Sequence, residues 1–124
     1  MLNLSHKKLD AYLISLKLLE QIYQITKAFP QDERFLLVSQ LRRASISVCS
    51  NIAEGASRTT NPEKRRFLEI SRSSLVEIDT QIEIALLIKY LEKPQIAELE
   101  SYLSRIFMML SKMMEKLSIT PIQV

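Results

Sequence analysis

One glycine, Gly55, and four prolines supply nearly all the special turn chemistry of this 124-residue chain. That shortage argues against a sheet protein, whose hairpins and tight turns repeatedly need glycine or proline. Leu, Ile, Glu, Lys, Ser and Met dominate instead, and the composition reads as all-α. The prolines then act as punctuation. Phe29-Pro30 ends a first helix begun near Ser5, because proline disfavours a helical residue before it. Asp32 and Glu33 open a second helix whose dipole they match, and Gly55 is expected to cap its end. Asn61-Pro62-Glu63 opens a third, and Lys93-Pro94 marks the last corner. The predicted helices cover about 5–28, 32–54, 62–91 and 95–117.

Helices of this length joined by short connections run alternately up and down, so the expected fold is an antiparallel up-down-up-down four-helix bundle forming a single domain over 1–124. The fourth helix has the cleanest apolar stripe: Ile96, Leu99, Leu103, Ile106, Leu110, Met113 and Leu117. The first helix carries two. Leu9, Tyr12, Leu13, Leu16, Leu19 and Tyr23 form one face, while Ile14, Leu18, Ile22, Ile25 and Phe29 form another nearly opposite. The second helix is apolar on one side at Leu37, Leu41, Val48 and Ile52, with Phe35, Ile46 and Ala53 further round. A bundle helix needs one stripe. The surplus predicts self-association, since contiguous exposed apolar surface marks interaction sites.

Polar residues are ordered as well. At about 100° per residue, Gln40, Ala44, Ser47, Asn51, Glu54 and Arg58 fall on one stripe of the second helix, with Arg43 beside it. Amides, hydroxyls and charges so spaced imply hydrogen bonding to something fixed, either a neighbouring helix, a second subunit or a polyanion. Arg42 lies near the apolar arc and is expected to meet a carboxylate, Glu77 first and Glu54 second. Gln40, Arg42, Ser47, Asn51, Glu54 and Glu77 therefore make up a predicted structural polar network.

A single cysteine, Cys49, cannot form an internal disulfide and reads as a small buried hydrophobe. His6, the only histidine, sits in a segment expected to fray. One histidine excludes the usual zinc sites and paired Glu-x-x-His motifs. There is no glycine-rich phosphate loop and no nucleophile-and-base arrangement, so the expectation is a non-enzymatic protein without cofactor. No apolar run reaches membrane-spanning length and the first residues lack the order of a secretory signal. A cytoplasmic protein with no membrane partner is expected.

Four blocks in order, Tyr23-Gln24-Ile25-Thr26-Lys27-Ala28-Phe29-Pro30, Gln40-Leu41-Arg42-Arg43-Ala44, Asn51-Ile52-Ala53-Glu54-Gly55 with Arg58, and Ser74-Leu75-Val76-Glu77 with Thr80-Gln81, resemble the 23S rRNA intervening-sequence proteins. The resemblance covers about residues 9–91. It implies a bacterial source and an antiparallel four-helix bundle that assembles into a ring, typically a homopentamer. Leu36 and Ser73 stand where that family often has glycine, and Tyr12 where it usually has an aromatic such as tryptophan.

The net charge of +3 permits a polyanionic partner without requiring one. Lys64, Arg65 and Arg66 occupy the first turn of the third helix, where the macrodipole disfavours cations by about 0.3–1 kcal/mol each. With Arg72, Arg58 and Arg43 they are the candidate nucleic-acid-binding residues. No aromatic is interleaved for base stacking, so the residues support backbone contact independent of base sequence. The expected function is an oligomeric binding or scaffolding module with RNA as ligand. The alternative is a protein adaptor, such as the related bundle that accompanies the reverse transcriptase of diversity-generating retroelements, in which case the partner is an RNA-associated protein.

Overall fold

The computed structural model describes residues 1–118. Four helices account for most of them: α1 (Asp10–Thr26), α2 (Leu37–Ser57), α3 (Asn61–Leu87) and α4 (Ala97–Lys116). Three short 3₁₀ turns, Ser5–Lys8, Gln31–Glu33 and Lys93–Ile96, occupy the corners, and the described residues contain no strand. None of the helices is long and apolar enough to cross a membrane.

The boundaries differ from the sequence reading where local chemistry intervenes. α1 starts at Asp10 because residues 5–8 wind as a separate 3₁₀ turn. This turn buries His6, which packs edge-on against the Tyr12 ring at 4.7 Å and is held in place. α2 starts at Leu37, not near Asp32, since Leu36 adopts a non-helical backbone (φ −114°, ψ −104°). Glu33 still serves the helix start by accepting the Leu37 N–H. Thr60, one residue before Asn61, caps α3: its Oγ1 accepts the Glu63 N–H and donates to the Glu63 carboxylate. α3 ends with Lys89 in the left-handed region (φ 66°), where Lys89 N–H reaches the Leu86 carbonyl and Tyr90 N–H the Ala85 carbonyl. These are the two hydrogen bonds of a Schellman ending, which glycine usually provides.

Gly55 does not cap α2. It lies inside the helix without positive φ, and the helix continues to Ser57. A Cβ on it would stand 3.1 Å from the Lys64 carbonyl oxygen and 3.3 Å from Phe67 Cβ. The missing side chain lets the first turn of α3 press against α2.

That approach continues along the whole seam. The Gln81 amide donates to Gln40 Oε1 (3.3 Å), Ser74 Oγ to Ser47 Oγ (2.9 Å) and Ser71 Oγ to the Val48 carbonyl (2.8 Å). Numbers fall on α3 as they rise on α2. Arg72 with Ser111 and Arg65 with Ser118 relate α3 to α4 in the same sense, and Gln21 with Glu98 relates α1 to α4. Each helix contacts its neighbours in chain order and α4 returns to α1, while the diagonal pairs make little or no contact. One apolar core fills the centre, with Leu18, Ile22, Leu41, Ile52, Ile78, Leu99, Ile106 and Leu110 fully enclosed. On α4 the 3.6-residue period carries Met114 into the core and leaves Met113 at its edge.

Candidate functional site

The polar stripe of α2 is engaged by the neighbouring helix only in part, and Gln40 and Glu54 remain exposed. Gln40 and Ser47 face α3, and the Asn51 amide donates to the Ser47 carbonyl (2.9 Å) and hydroxyl (3.1 Å). For Gln40 and Ser47 the partner is the neighbouring helix, whereas Asn51 bonds within α2 and Glu54 pairs with Arg58.

Arg42 meets no carboxylate. Two residues from Gln40 it projects about 200° round the helix, away from α3 and onto α1. There Nε donates to Thr26 Oγ1 at 3.1 Å, Nη2 to the Tyr23 carbonyl at 3.4 Å, and the guanidinium lies 4.5 Å from the Tyr23 ring centre. Thr26 passes the interaction on by donating to the Ile22 carbonyl (2.7 Å). The expected Arg42–Glu77 pair is therefore replaced by a hydroxyl, a carbonyl and an aromatic face. Glu77 is exposed on α3. Glu54, the second predicted partner, binds Arg58 instead at 3.2 Å.

The six candidate cations separate by geometry. Arg58 spans the α2–α3 corner, pairing with Glu54 and Glu63 (3.7 Å) over the Phe67 ring. Lys64 reaches back towards the Ala56 carbonyl near the end of α2. These two fasten the corner. Arg65 and Arg72, seven residues apart on one face of α3, donate to Ser118, just beyond the end of α4, and to Ser111 of α4, and the Arg72 guanidinium lies 5.6 Å from the Phe107 ring centre. Hydroxyls and a ring hold these guanidiniums without neutralising them; among the described residues the only ion pairs are those of Arg58. They are half-buried, not fully exposed as a solvated turn would be. Arg66 projects into solvent beside them. Arg43 is also exposed but sits about 18 Å along α2 from Gly55, outside the group.

The bundle adds cations that adjacency in sequence could not reveal. A cleft over Ser5, Leu9, Gly55, Lys64, Met113 and Lys116 brings together the chain start, the end of α2, the start of α3 and the end of α4. Lys112 lines the furrow shared by Arg65 and Arg72, with Glu115 as its one carboxylate. This end of the molecule thus gathers Lys64, Arg65, Arg66, Arg72, Lys112 and Lys116. The bare amides of α3 contribute little, because Pro62 has no N–H and the Thr60 cap consumes that of Glu63.

Residues Lys27, Arg34 and Arg42 line a second basic depression at the other end, with no carboxylate in its wall. Sequence reasoning missed it. The three cations come from the end of α1, the corner and α2, and only the chain reversal at Pro30 unites them.

Cys49 is buried, and burial pushes its thiol above the ordinary value of 9.0 despite a hydrogen bond involving Ser15 that opposes the shift. It stays protonated and apolar in character. Among the described residues no three His, Cys, Asp or Glu side chains converge as a metal site would require.

Compared with known families, residues 7–112 match the one described as 23S rRNA-intervening sequence protein. None of the curated proteins compared matches the chain.

Proposed function

Since the chain belongs to the 23S rRNA-intervening sequence protein family, we propose that it works without catalysis, as an antiparallel four-helix bundle that closes into a homopentameric ring and binds RNA by its phosphate backbone. The observation that carries the RNA reading is the basic end, where Arg65 and Arg72 keep their charge while hydroxyls fix their geometry. A guanidinium so held retains N–H donors for phosphate. The exposed apolar residues support the ring. Leu13 is 45% and Leu16 38% exposed on α1, although α1 already buries Ile14, Leu18 and Ile22 against the core. A ring multiplies a weak contact through effective concentration.

The test is anisotropy titration of two single-stranded RNAs of unrelated sequence across a salt series, with light scattering for mass. Wild-type protein should bind both RNAs alike, with affinity falling steeply as salt rises. Replacing Arg65 and Arg66 by serine should lower the salt slope by about one for each phosphate that is no longer neutralised, without changing oligomer mass. No RNA binding at low salt, or a double variant that binds as well as wild type, overturns the RNA reading and moves the basic end to a protein partner. A mass of 14.4 kDa at micromolar concentration overturns the ring.

A further inference from the structure

We infer that the Lys27–Arg34–Arg42 depression is a binding site for a dianionic phosphate group, carried as a monoester by a small molecule or a strand end. It shares no residue with the basic end to which the RNA reading is tied.

The chain builds this site at one reversal. Lys27 directly follows α1, Arg34 follows the 3₁₀ turn Gln31–Glu33, and Arg42 comes from the second turn of α2. Together they line a depression of about 340 Å³, with Gln31 beside them and buried Phe29 and Val38 as its apolar backing. Asp32 and Glu33 are near in sequence but do not line it. The Glu33 carboxylate is turned to the Leu37 N–H and the Tyr90 hydroxyl, 3.3 Å from each.

Three cations around one space repel one another, more strongly where apolar backing keeps water from one side. None of them has an ion pair among the described residues. The fold uses part of this charge. Arg42 donates twice to the end of α1, where a cation suits the helix dipole. A guanidinium has five N–H groups, however, and the other three of Arg42 reach no acceptor among the described residues. Arg34 rests against the exposed Phe35 ring, 5.5 Å from its centre, and Lys27 is exposed. Three of the last four carbonyls of α1 are already occupied, that of Tyr23 by Arg42 and those of Gln24 and Thr26 by the N–H groups of Lys27 and Phe29. The helix end therefore does not need Lys27 and Arg34, and it repels an anion only weakly.

What remains is a set of donors from three chain segments facing one recess. A monoester matches it. It carries close to two charges above its second pKa of about 6 and offers three terminal oxygens, one to each cation, with arginine supplying paired N–H groups and lysine a point charge. A backbone diester has one charge and two terminal oxygens, and its strand must leave in two directions from a recess backed by Phe29 and Val38. A depression of this size holds a phosphate with room beside it, so the ester oxygen can carry a small organic group.

Calorimetric titration at pH 8 and low salt tests this with inorganic phosphate, adenosine 5′-monophosphate and adenosine 3′,5′-cyclic monophosphate, a diester of the same body. The first two should bind once per chain and compete with each other, and the cyclic diester should bind about tenfold more weakly, as the loss of one charge-assisted hydrogen bond implies. Lys27→Ser combined with Arg34→Ser, both at exposed positions, should weaken the monophosphate by about tenfold or more. Lys17→Ser with Arg105→Ser removes the same charge from exposed positions outside the depression and should change its affinity little. Thermal melts confirm that each variant folds, and Arg42 stays in place because it also holds α1. RNA oligomers with and without a 5′-phosphate separate the sources. A gain from that phosphate that is lost in the Lys27–Arg34 variant assigns a strand end, whereas equal binding of the two oligomers beside tight binding of the monophosphate assigns a free small ligand. No binding of phosphate or monophosphate, a diester bound as tightly as the monoester, a Lys27–Arg34 variant that binds like wild type, or equal weakening in both double variants would overturn the inference. Such a failure leaves the RNA reading standing, because that reading is tested at Arg65 and Arg66.

Discussion

Gly55→Ala should destabilise the protein although it improves the intrinsic helix propensity of α2. Alanine in a helix interior is favoured over glycine by about 1 kcal/mol, and at an exposed site that gain would appear. Here the new methyl must fit 3.1 Å from the Lys64 carbonyl oxygen, 3.3 Å from Phe67 Cβ and 3.5 Å from Leu68 Cδ2. The first two atoms belong to or lie next to backbone, so relief requires α3 to move as a unit. The Ser71–Val48 and Ser74–Ser47 hydrogen bonds resist that movement. Overpacking of this kind costs about 1–3 kcal/mol, leaving a net loss near 1 kcal/mol and a fall in Tm of about 4 °C for a chain this size. Gly55→Asn separates packing from capping. An αL cap tolerates asparagine nearly as well as glycine, whereas a steric contact makes it worse than alanine. The converse substitution, Lys89→Gly, should raise Tm by a similar amount, because Lys89 holds φ 66° at the end of α3, a conformation costing about 1–2 kcal/mol for a residue with Cβ and partly offset by the freer unfolded glycine. Thermal melts of the three variants decide it. A Gly55→Ala protein as stable as wild type, or a Gly55→Asn protein more stable than Gly55→Ala, would refute the reasoning.

Two further substitutions probe the interior. Arg42→Ala removes a charged donor from buried Thr26 and a cation from the Tyr23 ring, and should cost about 1–2 kcal/mol, against a few tenths for Arg65→Ala; equal small Tm shifts would show that the Arg42 contacts contribute nothing. Burial raises the Cys49 thiol above 9.0, so its neutral form favours folding fully below that value and the contribution fades as pH rises through the raised folded-state value. Native protein at pH 8 should accordingly react slowly with a thiol reagent and denatured protein at once. Prompt stoichiometric labelling of the native state would contradict this.

What sequence could and could not foresee follows from the range of the interactions. The α4 stripe and the helix count were legible because amphipathic periodicity is local and repeated many times. The α3 start was legible to one residue, since a cap, a proline and an acid are adjacent in the chain. Gly55 was misread because glycine serves two ends, positive φ and close approach, and only the position of α3 tells which. Arg42 was misread for a related reason: its distance round the helix from Gln40 was visible, but not that α1 would present a hydroxyl, a carbonyl and a ring on that side. The Lys27–Arg34–Arg42 depression depends on a chain reversal, and no spacing rule within one helix could have assembled it.

The charge order of α3 bears on the proposed function. Lys64, Arg65 and Arg66 stand in its first two turns, with Glu63 and Glu69 among them, and Glu77, Asp79 and Glu83 stand in its later half, opposite to what its own dipole favours at the start. The Thr60–Glu63 cap and the Arg58–Glu63 pair offset part of that disfavour locally. They do not explain why the gradient is there. If α3 were only a strut of the bundle, interspersed charges would serve it better, since opposite charges at i,i+4 stabilise a helix and segregated ones do not. An anionic partner would give the basic turns a use that the fold alone does not supply. The basic part of that gradient would thus set the location of the proposed polyanion surface, which is why the salt dependence of RNA binding tests it directly.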